Sequence, residues 1–331
     1  WVGEGKLGGV NAALALAALY CAIQAVTLTL VSWLTGTAAT IDDAEQLIYV
    51  PHLWAGYGGS QPPLFTWIFW GFAQVLGPKL LTLKIIKYLL LFLTFFSVHR
   101  TLTLLGFSLL TASAGAMGLM TMPQVFWESQ HTLTHSVAAL AFSALAVLAL
   151  VNLVRNPTVA SYALFGLAAA LSMLSKFNDS IFMIAILLAA ISIPAYRPVI
   201  LNRRFFISLV ATLAALLPTI VWSISNIDAV LARTRKLGIA AVGGFLEVRT
   251  NGIGQLGESI LNFTVVTLVI AIVCFVLERR NPLRTDCGAS PNNGLIGRSI
   301  LFSLGLLVCL VIVTGATAFP DRWLTPFLFL L

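Results

Sequence analysis

The chain has 331 residues, of which 59% are hydrophobic and 9% charged, where soluble domains carry roughly 45–50% and about 25%. A mean hydropathy of +0.96 excludes a water-soluble fold of this size, because so much apolar surface cannot all be hidden from water. The formal charge of +7 comes without a basic run interleaved with aromatics, so no nucleic acid partner is expected.

A surplus of Lys and Arg in such a chain instead reports orientation and contact with membrane lipids. Cys21, Cys274 and Cys309 lie in apolar runs and Cys287 in a basic polar loop. Their spacing suggests neither a disulfide framework nor a zinc site. A start at Trp1 and a stop at Leu331 within an apolar run are expected of a fragment of a longer chain.

A helix needs about 20 mostly apolar residues to cross the hydrocarbon core. In chain order such stretches run over 10–34, 79–98, 104–122, 133–153, 159–175, 180–196, 205–223, 261–277 and 299–318, and a tenth begins at 323. The expectation is an all-α polytopic membrane protein of about nine or ten spans, one transmembrane domain over 1–331. The apolar piece from Pro62 to Pro78 opens with two prolines and is short, which suits an interfacial or re-entrant segment. Three connections stand out: a first outer loop at 35–63, a long outer loop at 224–260 and an inner loop at 278–298. The second carries Arg233, Arg235, Lys236, Gly243-Gly244 and Arg249, a composition suited to a flexible lid. Its glycines follow no strand, so they do not indicate a nucleotide.

Loop charge gives the orientation. With the N-terminus inside, ten bases (among them Arg100, Arg155, Arg197 and Arg298) fall on the inner side against three acids. Lys79, Lys84 and Lys87, near an outer helix end, run against this assignment. Every short acidic cluster then lies outside: Asp42-Asp43-Ala44-Glu45, Glu128, Asp179 and Asp321. Distant loops that converge with carboxylates on one face place a candidate site at the outer membrane–water boundary.

In the first outer loop, Asp42 stands where a helix N-cap would stand, ahead of an amphipathic stretch with Leu47, Ile48, Trp54 and Tyr57 available to rest on the interface. Either it caps a surface helix, or it is a general base held above the bilayer. Gly56-Tyr57-Gly58-Gly59-Ser60-Gln61-Pro62-Pro63 lets the backbone turn tightly and re-enter in a fixed direction.

Asp42-Asp43-Ala44-Glu45, then Gly56-Tyr57, then Gln61-Pro62-Pro63-Leu64-Phe65-Thr66-Trp67 resembles glycosyltransferase family 39 and its relatives. These are membrane mannosyltransferases and aminoarabinose- or galacturonic-acid-transferring enzymes of bacterial envelopes, which share the GT-C fold. Trp127-Glu128-Ser129-Gln130, Leu174-Ser175-Lys176-Phe177-Asn178 and Asp321-Arg322-Trp323-Leu324-Thr325-Pro326 follow in the same order. The resemblance implies a GT-C-like helix bundle with outer-face interfacial helices. It also implies a sugar donor on a polyprenyl phosphate, a glycan, lipid or protein acceptor, and transfer at the extracytoplasmic face of a bacterial-type cytoplasmic (inner) membrane.

Within that resemblance Asp42 matches the presumed base, which takes the acceptor hydroxyl proton in a single inverting displacement. Asp43 or Glu45 can hold the acceptor or a cation. Several relatives carry Glu-Lys or His before the Pro pair where this chain has Ser60-Gln61. A second acid cannot be carried over there, and Glu128 or Glu45 is left as a substitute.

The departing lipid phosphate calls for fixed cations, for which Arg322 is the first candidate and Lys176 the second. Each also has a plainer reading, snorkelling to headgroups or pairing with Asp321 or Asp179. Glu128, His131 and His135, at i, i+3 and i+7, either solvate a helix end, hydrogen-bond substrate or hold a divalent cation. Tyr57 and Gln61 are further substrate contacts, while His52, near Trp54, reads as a membrane-surface residue. No cofactor is required by the sequence. Two rival functions stay open: a secondary transporter or lipid flippase, and a non-catalytic envelope assembly subunit.

Overall fold

A computed structural model describes residues 6–7, 10–36, 40–58, 61–129, 133–232, 237–239, 244–280 and 294–331. Apart from a two-residue ladder pairing Lys6–Leu7 with Val10–Asn11 and one isolated bridge, the described residues form helices and turns. The first helix, α1 (Ala12–Thr35), starts where the Asn11 side chain accepts from the N–H groups of Ala13 and Leu14, and stops at Gly36 in the left-handed conformation. A short helix, α2 (Ile41–Tyr49), and the 13-residue α3 (Leu64–Leu76) follow. At about 20 Å, α3 is too short to cross, as its opening prolines suggested.

Next come α4 (Leu80–Leu104), α5 (Leu109–Gly118), α6 (His135–Arg155), α7 (Val159–Ser175) and α8 (Asp179–Ser192). The series ends with α9 (Phe205–Ser225), α10 (Phe245–Arg280) and α11 (Gly294–Thr314). Six of these, α1, α4, α6, α9, α10 and α11, are long and apolar enough to span a bilayer; α7, α8 and the segment 109–121 are shorter apolar helices. The chain is a multi-span membrane protein.

The two most buried spans, α4 and α6, pack on each other at the centre. Around them, α1 and α5 lie against α4, α7 joins α6 to α9, and α8 packs on α11. The peripheral spans expose Leu19, Leu217, Val269 and Leu301, side chains that lipid would cover. Where α7 crosses α9, Gly166 permits backbone contact: a Cβ there would lie 2.2 Å from the Ser208 carbonyl oxygen. The Ser208 hydroxyl donates to Tyr162 O at 2.7 Å and the Thr212 hydroxyl to Gly166 O at 2.9 Å, small polar residues joining helices where lipid gives no hydrophobic drive.

The end assigned to the inside is built from arginines on helix C-termini. Arg155 donates to Leu104 O at 2.5 Å, Arg197 to Ile191 O at 3.0 Å and Arg298 to Ser192 O at 2.7 Å. These carbonyls have no partner within their own helices, and the negative end of the helix dipole favours a cation beside them.

Four sequence expectations need correction. Residues 245–260, assigned to a flexible loop, belong to α10, whose 36 residues reach roughly 54 Å and so extend well beyond the core. The proposed lid bases Arg233, Arg235 and Lys236 lie outside the described residues, as does 281–293 of the inner loop. No tenth span is formed from 323 within the described residues; a 3-10 turn at Asp321–Trp323 and a short buried helix at Thr325–Leu328 fold back under the site. The cap of α2 is Thr40, whose hydroxyl accepts from Asp43 N at 3.3 Å, which leaves Asp42 inside the first turn. Glu128 closes a π-turn begun after Pro123 and a fresh helix starts at His135, so the two do not share one helix face.

Candidate active site at the outer end

Helix α2 carries its polarity inside out. Asp43 and Gln46 are buried, whereas Ile41 and Ile48 are exposed. The cause is what lies beneath it. Lys84 and Lys87, one turn apart on α4, are both buried; Lys84 Nζ sits 2.9 Å from Asp43 Oδ2, and Lys87 Nζ 3.8 Å from Asp43 Oδ1. Beside this pairing the Thr66 hydroxyl donates to Gln46 Oε1 at 2.7 Å, and Gln46 Nε2 lies 3.0 Å from His135 Nε2. Since Thr66 occupies the amide oxygen, Gln46 donates to the imidazole, which puts a neutral His135 proton on Nδ1.

Asp42, next to the anchored Asp43, is half-buried. Burial raises its carboxyl above the ordinary Asp range, opposed first by the charge of Arg322 and then by that of Lys87, while Glu45 and Asp43 push it up further. Segments some 280 residues apart in sequence thus meet at one end of the bundle. Arg322 is exposed, and among the described residues its guanidinium has no hydrogen bond or ion pair, so its donors are available to an anion.

Lys176 is placed differently from expectation. It is buried, and its ammonium donates to Ser136 Oγ at 3.1 Å and to the Arg322 carbonyl at 2.7 Å. Asn178 Nδ2 donates to Trp323 O at 2.7 Å. The 176–178 link therefore clamps the turn that carries Arg322, and burial lowers the Lys176 ammonium below the usual lysine range. Asp179 stands behind the clamp, fully buried, with its Oδ2 accepting from Ser172 at 2.9 Å and Ser143 at 3.1 Å.

Beside α2, Glu45, Tyr49, Tyr57, Gln61, Pro62, Thr66 and His135 close around a crevice too tight to hold a water molecule. Its wall is held by the Tyr57–Gln61 bridge and by the Tyr57 hydroxyl, which donates to His52 O at 2.6 Å and accepts from Trp54 N at 3.0 Å. Tyr57 is buried rather than resting on the interface. His52 and Trp54 are exposed and stacked 4.6 Å apart, in keeping with a membrane-surface role. The loop is fastened to α9: Thr219 donates to Ala55 O at 3.1 Å, and a Cβ on Gly56 would run into the Trp222 ring at 2.3 Å.

Of the sequence candidates, Asp42, Asp43, Glu45, Tyr57, Gln61, His135, Lys176 and Arg322 meet around α2 or the clamp beside it. Glu128 is half-buried in the π-turn, outside the cleft's lining. His131 lies outside the described residues. Among the described residues no three His, Cys, Asp or Glu side chains converge as a metal-binding group.

Residues 60–222 match the protein family described as dolichyl-phosphate-mannose-protein mannosyltransferase. Over 298 residues the chain is 30% identical to the lipopolysaccharide core galacturonosyltransferase RgtB of Rhizobium johnstonii, with 90% of this chain and 60% of that protein covered. It is 31% identical to RgtA of the same organism over 297 residues, 88% of this chain and 58% of the relative. The fold also matches that of ArnT from Cupriavidus metallidurans bound to undecaprenyl phosphate, with a TM-score of 0.60 at 13% identity over 93% of this chain and 58% of the other. The chain thus shares the GT-C fold and is similar in sequence to membrane glycosyltransferases. It spans 60% or less of the length of each of these relatives.

Several residues of this GT-C site escaped the sequence reading. Lys84 and Lys87 entered it only as charges against the orientation; buried against Asp43, they cease to be loop charges. Two lysines one turn apart inside an apolar run are costly to bury and so carry a signal of function. Gln46, Thr66 and Ser136 carry no such signal, because only the fold brings them to the cleft and the clamp.

Proposed function

We propose that this GT-C chain carries the catalytic centre of an inverting glycosyltransferase that takes a sugar from a polyprenyl-phosphate donor and transfers it to an envelope glycan at the extracytoplasmic face of the bacterial cytoplasmic membrane. The observation that carries the reading is that Asp42, a half-buried acid, lies within electrostatic reach of Arg322, an exposed cation whose guanidinium makes no hydrogen bond or ion pair among the described residues. Asp42 is the base: its carboxylate takes the acceptor hydroxyl proton while that oxygen forms a bond to the anomeric carbon. The bond from that carbon to the phosphate oxygen breaks on the opposite face, and the lipid phosphate leaves with the bonding pair. Arg322 meets the growing charge with a planar fork.

Lys176 serves the same anion indirectly, since its ammonium holds the Arg322 carbonyl. Glu45, Gln61 and His135, gathered in the crevice beside α2, are the polar groups assigned to the sugar, which requires that crevice to open. Because RgtA and RgtB are named as lipopolysaccharide core galacturonosyltransferases, a galacturonic acid donor and a lipopolysaccharide core acceptor are the first pair to assay.

The test is incubation of the full-length protein with radiolabelled polyprenyl-phosphate galacturonic acid and core acceptor, in membranes and in detergent. Label transferred to the acceptor in both settings is the expected result. Label that only moves across a sealed bilayer would make the protein a transporter or flippase, and no transfer with any lipid-linked sugar would leave the assembly-subunit reading.

A further inference from the structure

The buried charges beneath α2 do not balance. Lys84, Asp43 and Lys87 are 4%, 1% and 0% exposed, and together they sum to one positive charge shielded from bulk solvent. Asp43 satisfies Lys84 at 2.9 Å, whereas Lys87 stands 3.8 Å from the other carboxylate oxygen, beyond hydrogen-bond range. Neither Lys87 Nζ nor Asp43 Oδ1 has a hydrogen-bond partner among the described residues. An unbalanced cation in a dry place draws the next available acid. Asp42 directly precedes Asp43 in the first turn of α2 and is the next carboxylate within electrostatic reach of Lys87.

We propose that Lys84, Asp43 and Lys87 form a three-charge unit whose single excess positive charge has Asp42 as its counter-ion, so that the unit holds Asp42 ionised and ready to accept a proton. The proposal rests on the reading of Asp42 as the base. Asp43 thereby becomes a positioning residue: pairing with Lys84 spends its carboxylate on docking α2 rather than on acceptor or cation.

The charges facing Asp42 are Glu45 and Asp43 on its own helix, Lys87 on α4, Arg322 on the 321–323 turn and Lys176 at the end of α7. Burial and the two acids oppose ionisation, and the cations favour it. The arrangement also serves the second half of the reaction. When Asp42 takes the acceptor proton, the excess charge loses its counter-ion in the same step in which the lipid phosphate becomes more negative. The site grows more positive as its product grows more anionic, with no ion entering or leaving.

Sign decides between this device and a merely structural pin. Lys87→Met leaves a neutral Lys84–Asp43 pair, and Lys84→Met leaves Asp43 to neutralise Lys87. Either change removes the excess charge, so the acid limb of the kcat/KM profile should move to higher pH by about one unit. Asp43→Asn leaves two lysines unneutralised and should move the limb to lower pH. The profiles are measured on the full-length protein in membranes, with membrane insertion and detergent-stable folding checked for each variant. The two lysine variants carry the same expectation, so either stands in if the other fails to fold.

A structural pin would lower activity at every pH and leave the limb where it was. Limbs that stay put, or that move in the same direction for all three variants, overturn the proposal. Asp42→Asn separates it from the reading on which it rests. An active Asp42→Asn protein removes the base, whereas an inactive one combined with unmoved limbs removes only the charge unit.

Discussion

Charged side chains gather at both ends of this bundle, but under opposite physical conditions. At the inner end Arg155, Arg197 and Arg298 are exposed and reach back to helix C-terminal carbonyls. At the outer end Asp43, Lys84, Lys87, Lys176 and Asp179 are buried, tied to each other or to hydroxyls and carbonyls. Exposed charges keep most of their hydration, so their contacts add little. Buried charges have lost theirs, and each depends on its partners. The end assigned to the inside carries charges from which the orientation is read, and the opposite end holds its buried charges in fixed pairings.

The comparison is broken most severely at Asp42. Asp42→Asn keeps the size and the helix but cannot take a proton, and transfer should fall roughly 10²–10⁴-fold with expression and membrane insertion unchanged. In the unsubstituted protein, burial holds the carboxyl above the ordinary Asp value of about 3.9. The proposed base must be ionised to act, so the rate should begin to fall on acidification at a pH above that value. A rate that persists down to about pH 4 would argue against Asp42 as the base.

Asp179→Ala comes next. It strips two buried hydroxyls of their acceptor and takes from Lys176 the acid that counters its charge. A loss of about 3 kcal/mol is expected, seen as a lower thermal transition of the purified protein in detergent. Because Lys176 holds the Arg322 turn, the KM for the lipid-linked donor should rise at temperatures where the variant stays folded. Stability lost without any change in KM would separate the clamp from donor binding.

Arg322→Ala acts on the exposed member of the outer group. Its guanidinium makes no hydrogen bond or ion pair among the described residues, so the fold should be untouched. The loss of charge-assisted hydrogen bonds to the phosphate, about 1.5–3 kcal/mol, should weaken donor use by roughly 10- to 100-fold in kcat/KM. Arg322→Lys should recover part of it, since the charge returns without the fork. A variant that handles the donor normally would move the phosphate site elsewhere.

How much of this was legible in sequence follows from the range of each interaction. Long apolar runs have a local cause, so the spans at α1, α4, α6 and α9 could be read off directly, and so could the short reach of α3. The convergence of Asp42 and Arg322 on one face followed from alternating the spans, a counting argument that needs no contacts. Distant pairings left no local mark. Asp43 looked like an acid for the acceptor or a cation because the lysines that hold it are 41 and 44 residues away. Lys176 looked like a phosphate ligand because its hydroxyl and carbonyl partners come from α6 and from residue 322. The glycines and mixed charge of 224–260 suggested a loop, yet in the structure 245–260 sits within α10.

The smallest effect belongs to the inner end and tests the other half of the comparison. Arg298 donates to the carbonyl and the hydroxyl of Ser192, at 2.7 and 2.9 Å, which joins the start of α11 to the end of α8. Its guanidinium is exposed, so water can take over the Ser192 carbonyl when the side chain is removed. Arg298→Ala should therefore cost less than about 1 kcal/mol and leave kcat/KM unchanged. What it removes is one of the positive charges from which the orientation is read, so the readout should shift toward topology: a small fraction of inverted or misinserted protein, detected by cysteine labelling from each side of the membrane. A loss of stability as large as that of Asp179→Ala would mean that the inner arginines are structural in the same sense as the buried outer charges, and the contrast between the two ends would collapse.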